Sequence, residues 1–268
     1  VQSKYVYDPD KFFKIYYYLS GVNDTMRSHL WSLVHKLMKL VDPCTDDMVI
    51  DIGSNDGYML SCYPPTLSKV GFEPALNMCG GPNYKDCTVI NDYFTDNILT
   101  AKAKIITAIG MFYDIQNPNL FMNQIKNTLD QNGVFVIEMN YLVSMIENLA
   151  IDNATAEHCC FYTYHTLEPI LNRVEMEVFR IEQNNINGGS IRFYIKHRGC
   201  SCYERGPEIE LYKKYVEADY DIPIGEFSPY ESFRSNIDCI RDELTSFIAA
   251  HGPVWAYGAS TRGYTLLQ

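Results

Sequence analysis

The chain has no run approaching the ~18 consecutive apolar residues that a membrane-spanning helix needs. Its first residues, "VQSKYVYDPDKFF", lack the charged-then-apolar pattern of a secretory leader. Positive charge is scarce: 22 Lys and Arg stand against 33 Asp and Glu, for a formal net charge of −11. A field of that sign repels polyanions and argues against sequence-independent binding to nucleic acid or to an anionic membrane. Cysteine pairs with two residues between them, the mark of a zinc knuckle, are absent as well. The nine cysteines are scattered, and the close sets are Cys159-Cys160 and Cys200-Ser201-Cys202. No metal site is therefore expected, and reduced thiols in a cytoplasmic protein are. A Gly-Lys-Ser/Thr phosphate loop and a complete G-x-G-x-x-G are missing too, as are internal repeats and low-complexity tracts.

What is present is the composition of a globular protein, 47% hydrophobic and 21% charged over 268 residues, with 21 tyrosines. Residues 24–40 place Met26, Leu30, Leu33, Val34 and Leu37 at helical spacing, with Asp24 as the expected N-cap and Asp42-Pro43 as the stop. Apolar strands then alternate with helices or crossovers: "MVIDIG", "SKVGFEP", "CTVIND", "AKIITAIG" and, after the amphipathic "PNLFMNQIKNTLD" and a closing "QNG", "GVFVIEMN". That alternation predicts a parallel sheet covered on both faces. The helix "TLEPILNRV" precedes two alternating strands joined by Asn-Gly-Gly, an antiparallel hairpin. Residues 198–208 read as a linker and 228–250 as a long amphipathic helix begun by Ser-Pro. "GPVWAYGASTRGYTLLQ" reads as a strand, a turn and the start of a helix. The expected division is a helical lead-in over 1–40, the main α/β domain over 41–198, and a linker, helix and partial second α/β segment over 199–268.

The stretch "VIDIGSNDGYML" holds the first functional signal. Asp51, Gly53, Asn55 and Gly57 sit where the first strand ends, the edge at which open α/β sheets bind ligands. Glu73 ends the second strand, placed to accept hydrogen bonds from both hydroxyls of a ribose. Asp92 ends the third, and Gly110 the fourth. An ordinary tight turn with solvated acids explains each alone. Acids and glycine in this order on successive strand ends fit S-adenosylmethionine better than a nicotinamide dinucleotide.

In order along the chain, "VIDIGSNDGYML", "GFEPALNM", "GMFYDIQNPNLFMNQIK", "NGVFVIEMNYL", "EHCCFYTYHTLEPIL", "NGGSIRFYI" and "WAYGASTRGYTLL" resemble the signature stretches of nucleotide-sugar C-methyltransferases. The resemblance implies a Rossmann-like class I methyltransferase with a mostly parallel seven-stranded sheet and a C-terminal hairpin. It also implies S-adenosylmethionine as cofactor and a methyl acceptor carbon beside the ketone of a 4-keto deoxysugar. Family members carry an N-terminal zinc module and a full C-terminal α/β domain. This chain resembles the core of the family, without the first and most of the second.

The resemblance further implies a Tyr-His-Glu-His tetrad whose last histidine is the base. Here Thr155-Ala156-Glu157-His158 stands in its place, so Glu157 and His158 match while the tyrosine and first histidine do not. A core histidine is the competing reading of His158. In "YYYLSG", Tyr18 is the candidate second polar group of the catalytic set and Tyr16 its substitute, with aromatic packing the alternative. Candidate substrate contacts are Tyr16, His29, Thr155, Tyr162, Asn187, Gly188, Gly189, Ser190 and Arg192, the last to pair a diphosphate. Tyr257-Gly258-Ala259-Ser260 resembles the nucleotide-facing turn of the C-terminal domain. Two further readings stay open: an O- or N-methyltransferase of the same fold, and a core that binds cofactor or partner without catalysis. An RNA methyltransferase is disfavoured by the acidic charge.

Overall fold

The computed structural model describes residues 8–220, 228–255 and 260–267. It centres on a seven-stranded sheet in the order β3-β2-β1-β4-β5-β7-β6. The strands are β1 (Met48–Ile52), β2 (Ser68–Phe72), β3 (Thr88–Ile90), β4 (Ala103–Ile109), β5 (Leu129–Asn140), β6 (Met176–Asn184) and β7 (Ser190–His197). All pairings are parallel except those of β7, which runs antiparallel to both β5 and β6.

Alternate residues of each strand face opposite sides, and both sides must be covered. Ile50, Ile52, Phe72, Ile106, Phe135 and Ile137 pack on one side with side chains of α4 (Pro118–Thr128) and α6 (Tyr164–Arg173). Val49, Ile105, Val134, Val136 and Tyr194 pack on the other with Leu30, Leu33, Val34 and Leu37 of α2 (Asp24–Val41). Each of those leucines contributes about 1.5–3 kcal/mol by burial. Asn23, not Asp24, caps α2: its Oδ1 accepts from the Thr25 and Met26 backbone N–H groups, and Asp24 is the first helical residue. The helix ends on Asp42 in the left-handed region, φ +49°.

α4 ends at Thr128 and β5 begins at once, so Gly133 lies inside the strand rather than closing the helix. A Cβ there would meet Leu129 Cδ1 at 2.8 Å and the Ala103 carbonyl oxygen at 2.9 Å. Shorter helices are α1 (Pro9–Phe13), α3 (Tyr58–Ser61), α5 (Leu142–Glu147) and α7 (Glu208–Leu211).

The stretch expected as a linker is packed. Tyr203 stacks on Phe179 with ring centroids 4.9 Å apart, and Lys196 donates to the carbonyls of Cys200 and Tyr203. Farther on, Glu217 is fully buried and accepts hydrogen bonds from the Tyr164 and His165 backbone N–H groups and from the Tyr141 hydroxyl. α8 (Pro229–His251) buries no residue, and α9 (Thr261–Leu267) follows. Residues 252–255 form no strand, and 256–259, where Tyr257, Gly258 and Ala259 stand, lie outside the described residues. Among the described residues no helix is long and apolar enough to cross a membrane.

Candidate active site

The chain runs outward from β1 to β3 and returns to β4, so the crevice beyond the ends of β1 and β4 is the topological switch point of the sheet. A cavity of about 930 Å³ opens there. Antiparallel β7 begins beside the end of β5, with Asn140 opposite Ser190. This brings the hairpin residues Asn187 and Ser190 to the same rim.

On the β1–β3 side the lining includes Asp51, Gly53, Asn55, Glu73 and Asp92, and Gly110 lies at the end of β4. Gly53 has φ +70°, and a Cβ on it would approach Met111 to 3.3 Å, so bare backbone faces the cavity. Asp51 accepts from Thr107 Oγ1 at 2.6 Å. Burial pushes its carboxyl up to about 7 against that hydrogen bond, with Glu73 adding. Glu73 is buried and accepts from the backbone N–H groups of Asn55, at 2.7 Å, and Ala75, at 2.8 Å. Burial raises its carboxyl, and those two bonds oppose the rise. None of the ion pairs among the described residues involves Asp51, Glu73 or Asp92.

Asn55, at φ +54°, fastens the N-terminal segment over this side. Its Nδ2 donates to the Tyr18 carbonyl and its Oδ1 accepts from the Ser20 N–H. Tyr16 and Tyr18 both line the cavity. Burial first, then Asp114 and Glu157, push the Tyr16 phenol up to about 12.

Across the cavity lie Thr155, Glu157 and His158. His158 Nδ1 is 2.7 Å from the Asn153 carbonyl oxygen, so Nδ1 carries the proton and Nε2 keeps its lone pair. Its ring lies against Tyr113, centroids 4.1 Å apart. Burial lowers the imidazole below its ordinary range, and the Asn153 bond and Glu157 partly offset this. The segment is zipped to the end of β4 because the Cys159 and Cys160 N–H groups both donate to the Tyr113 carbonyl. Three buried oxygens lining this side have no hydrogen-bond partner: Thr155 Oγ1, Asn140 Oδ1 and Asp114 Oδ1.

Six expected site residues do not line the cavity. Arg192 is buried and holds Glu138 through Nε at 2.6 Å and Nη2 at 2.5 Å, and Glu182 at 2.9 Å. With both acids engaged, it is a structural cation and not a free diphosphate clamp. His29 is likewise engaged, its Nε2 2.5 Å from Glu138 Oε1. Tyr162 is core, packed on Phe112 with centroids 5.1 Å apart. Gly57 makes room for the Tyr84 ring, 2.8 Å from where its Cβ would stand. Gly188 and Gly189 shape the hairpin, and a Cβ on Gly189 would strike Ser144 at 2.5 Å.

Asp114, Glu138, Asn140, Asn153 and Arg262 also line the cavity, although none is among the site residues expected from the sequence. A lone acid within the apolar "VFVIEMN" was a usable sign for Glu138. Arg262 reaches the rim from α9 and pairs with Asp152, Nε to Oδ2 2.7 Å.

Residues 25–180 match the model of a methyltransferase domain, and residues 185–268 match that of a C-methyltransferase C-terminal domain. The chain is 26% identical to the C-methyltransferase NovU of Streptomyces niveus over 98% of its own length and spans 64% of that relative. Solved structures share the fold at low identity. A S-adenosylmethionine-dependent methyltransferase from Clostridium acetobutylicum has TM-score 0.52 at 11% identity, covering 67% of this chain and 94% of that one. The magnesium protoporphyrin IX methyltransferase of Synechocystis, with bound SAH, has TM-score 0.51 at 12% identity, covering 66% and 88%.

Proposed function

The chain belongs to the C-methyltransferase family, and from that membership we propose that it methylates a carbon beside the ketone of a nucleotide-linked 4-keto deoxysugar, using S-adenosylmethionine. The observation that carries this reading is the charge asymmetry of the cavity. Asp51 and Glu73 face it with neutral hydrogen-bond donors and, among the described residues, no ion-pair partner, an environment that favours a positively charged ligand. Bare backbone at Gly53 and the acceptor set of Asp51, Glu73 and Asp92 suit an amino acid moiety, a sulfonium and a ribose. When bound, S-adenosylmethionine supplies an electrophilic methyl group on that sulfonium.

The protein's own part is to make the acceptor carbon nucleophilic. His158 Nε2 takes the proton, the carbon–hydrogen pair forms the carbon–carbon double bond of the enolate, and the carbonyl π pair moves onto the ketone oxygen. The Asn153 carbonyl holds the tautomer that leaves Nε2 free. Glu157 on the adjoining residue favours the imidazolium once formed. Burial keeps the ring neutral at pH 7, the form a base requires.

Heavy-water exchange with a 4-keto nucleotide sugar and S-adenosylhomocysteine tests the reading. Deuterium is expected to enter beside the ketone, and His158→Ala is expected to slow entry by about 10²–10⁴. No exchange across a panel of such sugars would turn the assignment toward O- or N-methylation or a non-catalytic core.

A further inference from the structure

Removal of the proton by His158 leaves negative charge on the ketone oxygen, and some group must hydrogen-bond it. This inference rests on the reading just given. Where the resembling family has a tyrosine and a histidine ahead of Glu157, this chain has Thr155 and Ala156, so the tetrad alone offers only one hydroxyl. We propose that Asp114 acts as an uncharged carboxylic acid and donates the hydrogen bond that stabilises the enolate oxygen.

Asp114 lies in the short helical turn just after β4, at the same wall of the cavity as His158. Its backbone is fixed to the catalytic segment on both sides: Tyr113 accepts from the Cys159 and Cys160 N–H groups, and Cys159 Sγ lies 3.5 Å from the Asp114 carbonyl. Its carboxyl oxygen Oδ1 is cut off from solvent and has no partner. An ionised carboxylate left in that state would forfeit its hydration without compensation. The titratable groups that feel its charge are Glu157, Tyr16, Tyr113 and Cys159, and the cation Arg262 acts on the neighbouring Tyr113. Arg262 is already paired with Asp152, and none of the ion pairs among the described residues involves Asp114. Burial, with Glu157 adding, pushes the carboxyl well above the usual range, in keeping with a retained proton.

The step balances without another reactant. The carbon–hydrogen pair becomes the double bond to the ketone carbon, the carbonyl π pair moves to the oxygen, the proton goes to His158 Nε2, and the Asp114 O–H donates a hydrogen bond to the enolate oxygen without giving up its proton. A neutral acid is a stronger donor than the Thr155 hydroxyl, and its acidity lies nearer to that of an enol.

Two measurements on the whole chain test this. Infrared difference spectra of wild type against Asp114→Asn are expected to show a protonated-carboxyl band at neutral pH that the variant lacks. Absence of the band overturns the inference whatever the sugar. In the exchange assay, Asp114→Ala is expected to lose about 10²–10³ in rate, with S-adenosylhomocysteine affinity within twofold of wild type by calorimetry. Asp114→Asn, which still donates from its amide, is expected to keep more activity and to lose the alkaline limb of the pH profile. Exchange within threefold of wild type in Asp114→Ala, or a loss confined to Thr155→Val, would make the threonine the donor and overturn the proposal. A wild-type band without exchange on any 4-keto sugar would instead overturn the substrate reading beneath it.

Discussion

The two sides of the cavity are built on opposite principles. On the β1–β3 side the acids and the amide of the turn are already bonded to the protein: Glu73 to two backbone N–H groups, Asp51 to Thr107, and Asn55 to Glu73 and to the N-terminal segment at Tyr18 and Ser20. Burial raises both carboxyls, and hydrogen bonds rather than cations oppose that rise. On the β5–β7 side the cavity-lining acid of the sheet, Glu138, is paired with Arg192 and hydrogen-bonded to His29, while Thr155, Asn140 and Asp114 present unpaired oxygens. The first side is internally satisfied, which suits the cofactor surface proposed for it. The second keeps hydrogen-bonding capacity in reserve, which is costly in a resting protein and useful only if something else completes it.

The contrast can be broken most severely at Arg192. Arg192→Met would leave Glu138 and Glu182 without their shared cation. Unfolding in urea is expected to show a loss of about 3–5 kcal/mol. A loss below 1 kcal/mol would mean that His29, hydrogen-bonded to Glu138, and Lys36, paired with Glu182 at 2.9 Å, suffice.

The next largest effect concerns pH and the opposite side. The Asp51 carboxyl is raised from 3.8 to about 7 in the fold. Between those values the unfolded chain has given up the proton and the folded chain retains it, so stability is full below 3.8 and falls as pH rises toward 7. At about 1.4 kcal/mol per unit the contribution is at most about 4 kcal/mol. Asp51→Asn, which does not ionise, is expected to show a flatter stability profile between pH 4 and pH 8, measured by urea midpoint. An equally steep profile in the variant would place the titration elsewhere.

The smallest effect sharpens the picture of the binding side. Glu73→Ala is expected to weaken S-adenosylhomocysteine by about tenfold in calorimetry, the loss of one charge-assisted contact pair. Unchanged affinity would show that Glu73 serves only the backbone of Asn55 and Ala75.

Much of the β1–β3 side was readable because its signals are local. Asp51 through Asn55 belong to one turn, and Glu73 and Asp92 each mark a strand end, so position along the chain is position along the rim. The β5–β7 side resists such reading because its partners meet through register. Arg192 lies directly opposite Glu138 on β5 and Glu182 on β6, and His29 joins them from α2. Taken alone, an arginine two residues past a glycine turn looks available for a ligand. Only strand pairing reveals that two carboxylates flank it. Asp114 was passed over for a related reason: its turn carries no pattern, and its isolation comes from the walls around it. The fold itself rested on long apolar strands, whose order follows from their spacing, whereas Gly133 and the stretch around Tyr203 were misjudged because packing overrode composition.

Glu217 lies 53 residues downstream of Tyr164, yet it supplies the acceptor for the opening turn of α6. The tail that leaves the sheet thus doubles back as a latch on the very helix that follows His158. Severing the polypeptide anywhere between Arg198 and Glu217 would unfasten that helix, so the autonomous unit extends well past its last strand, and the loop that bears His158 borrows its rigidity from sequence that looks dispensable.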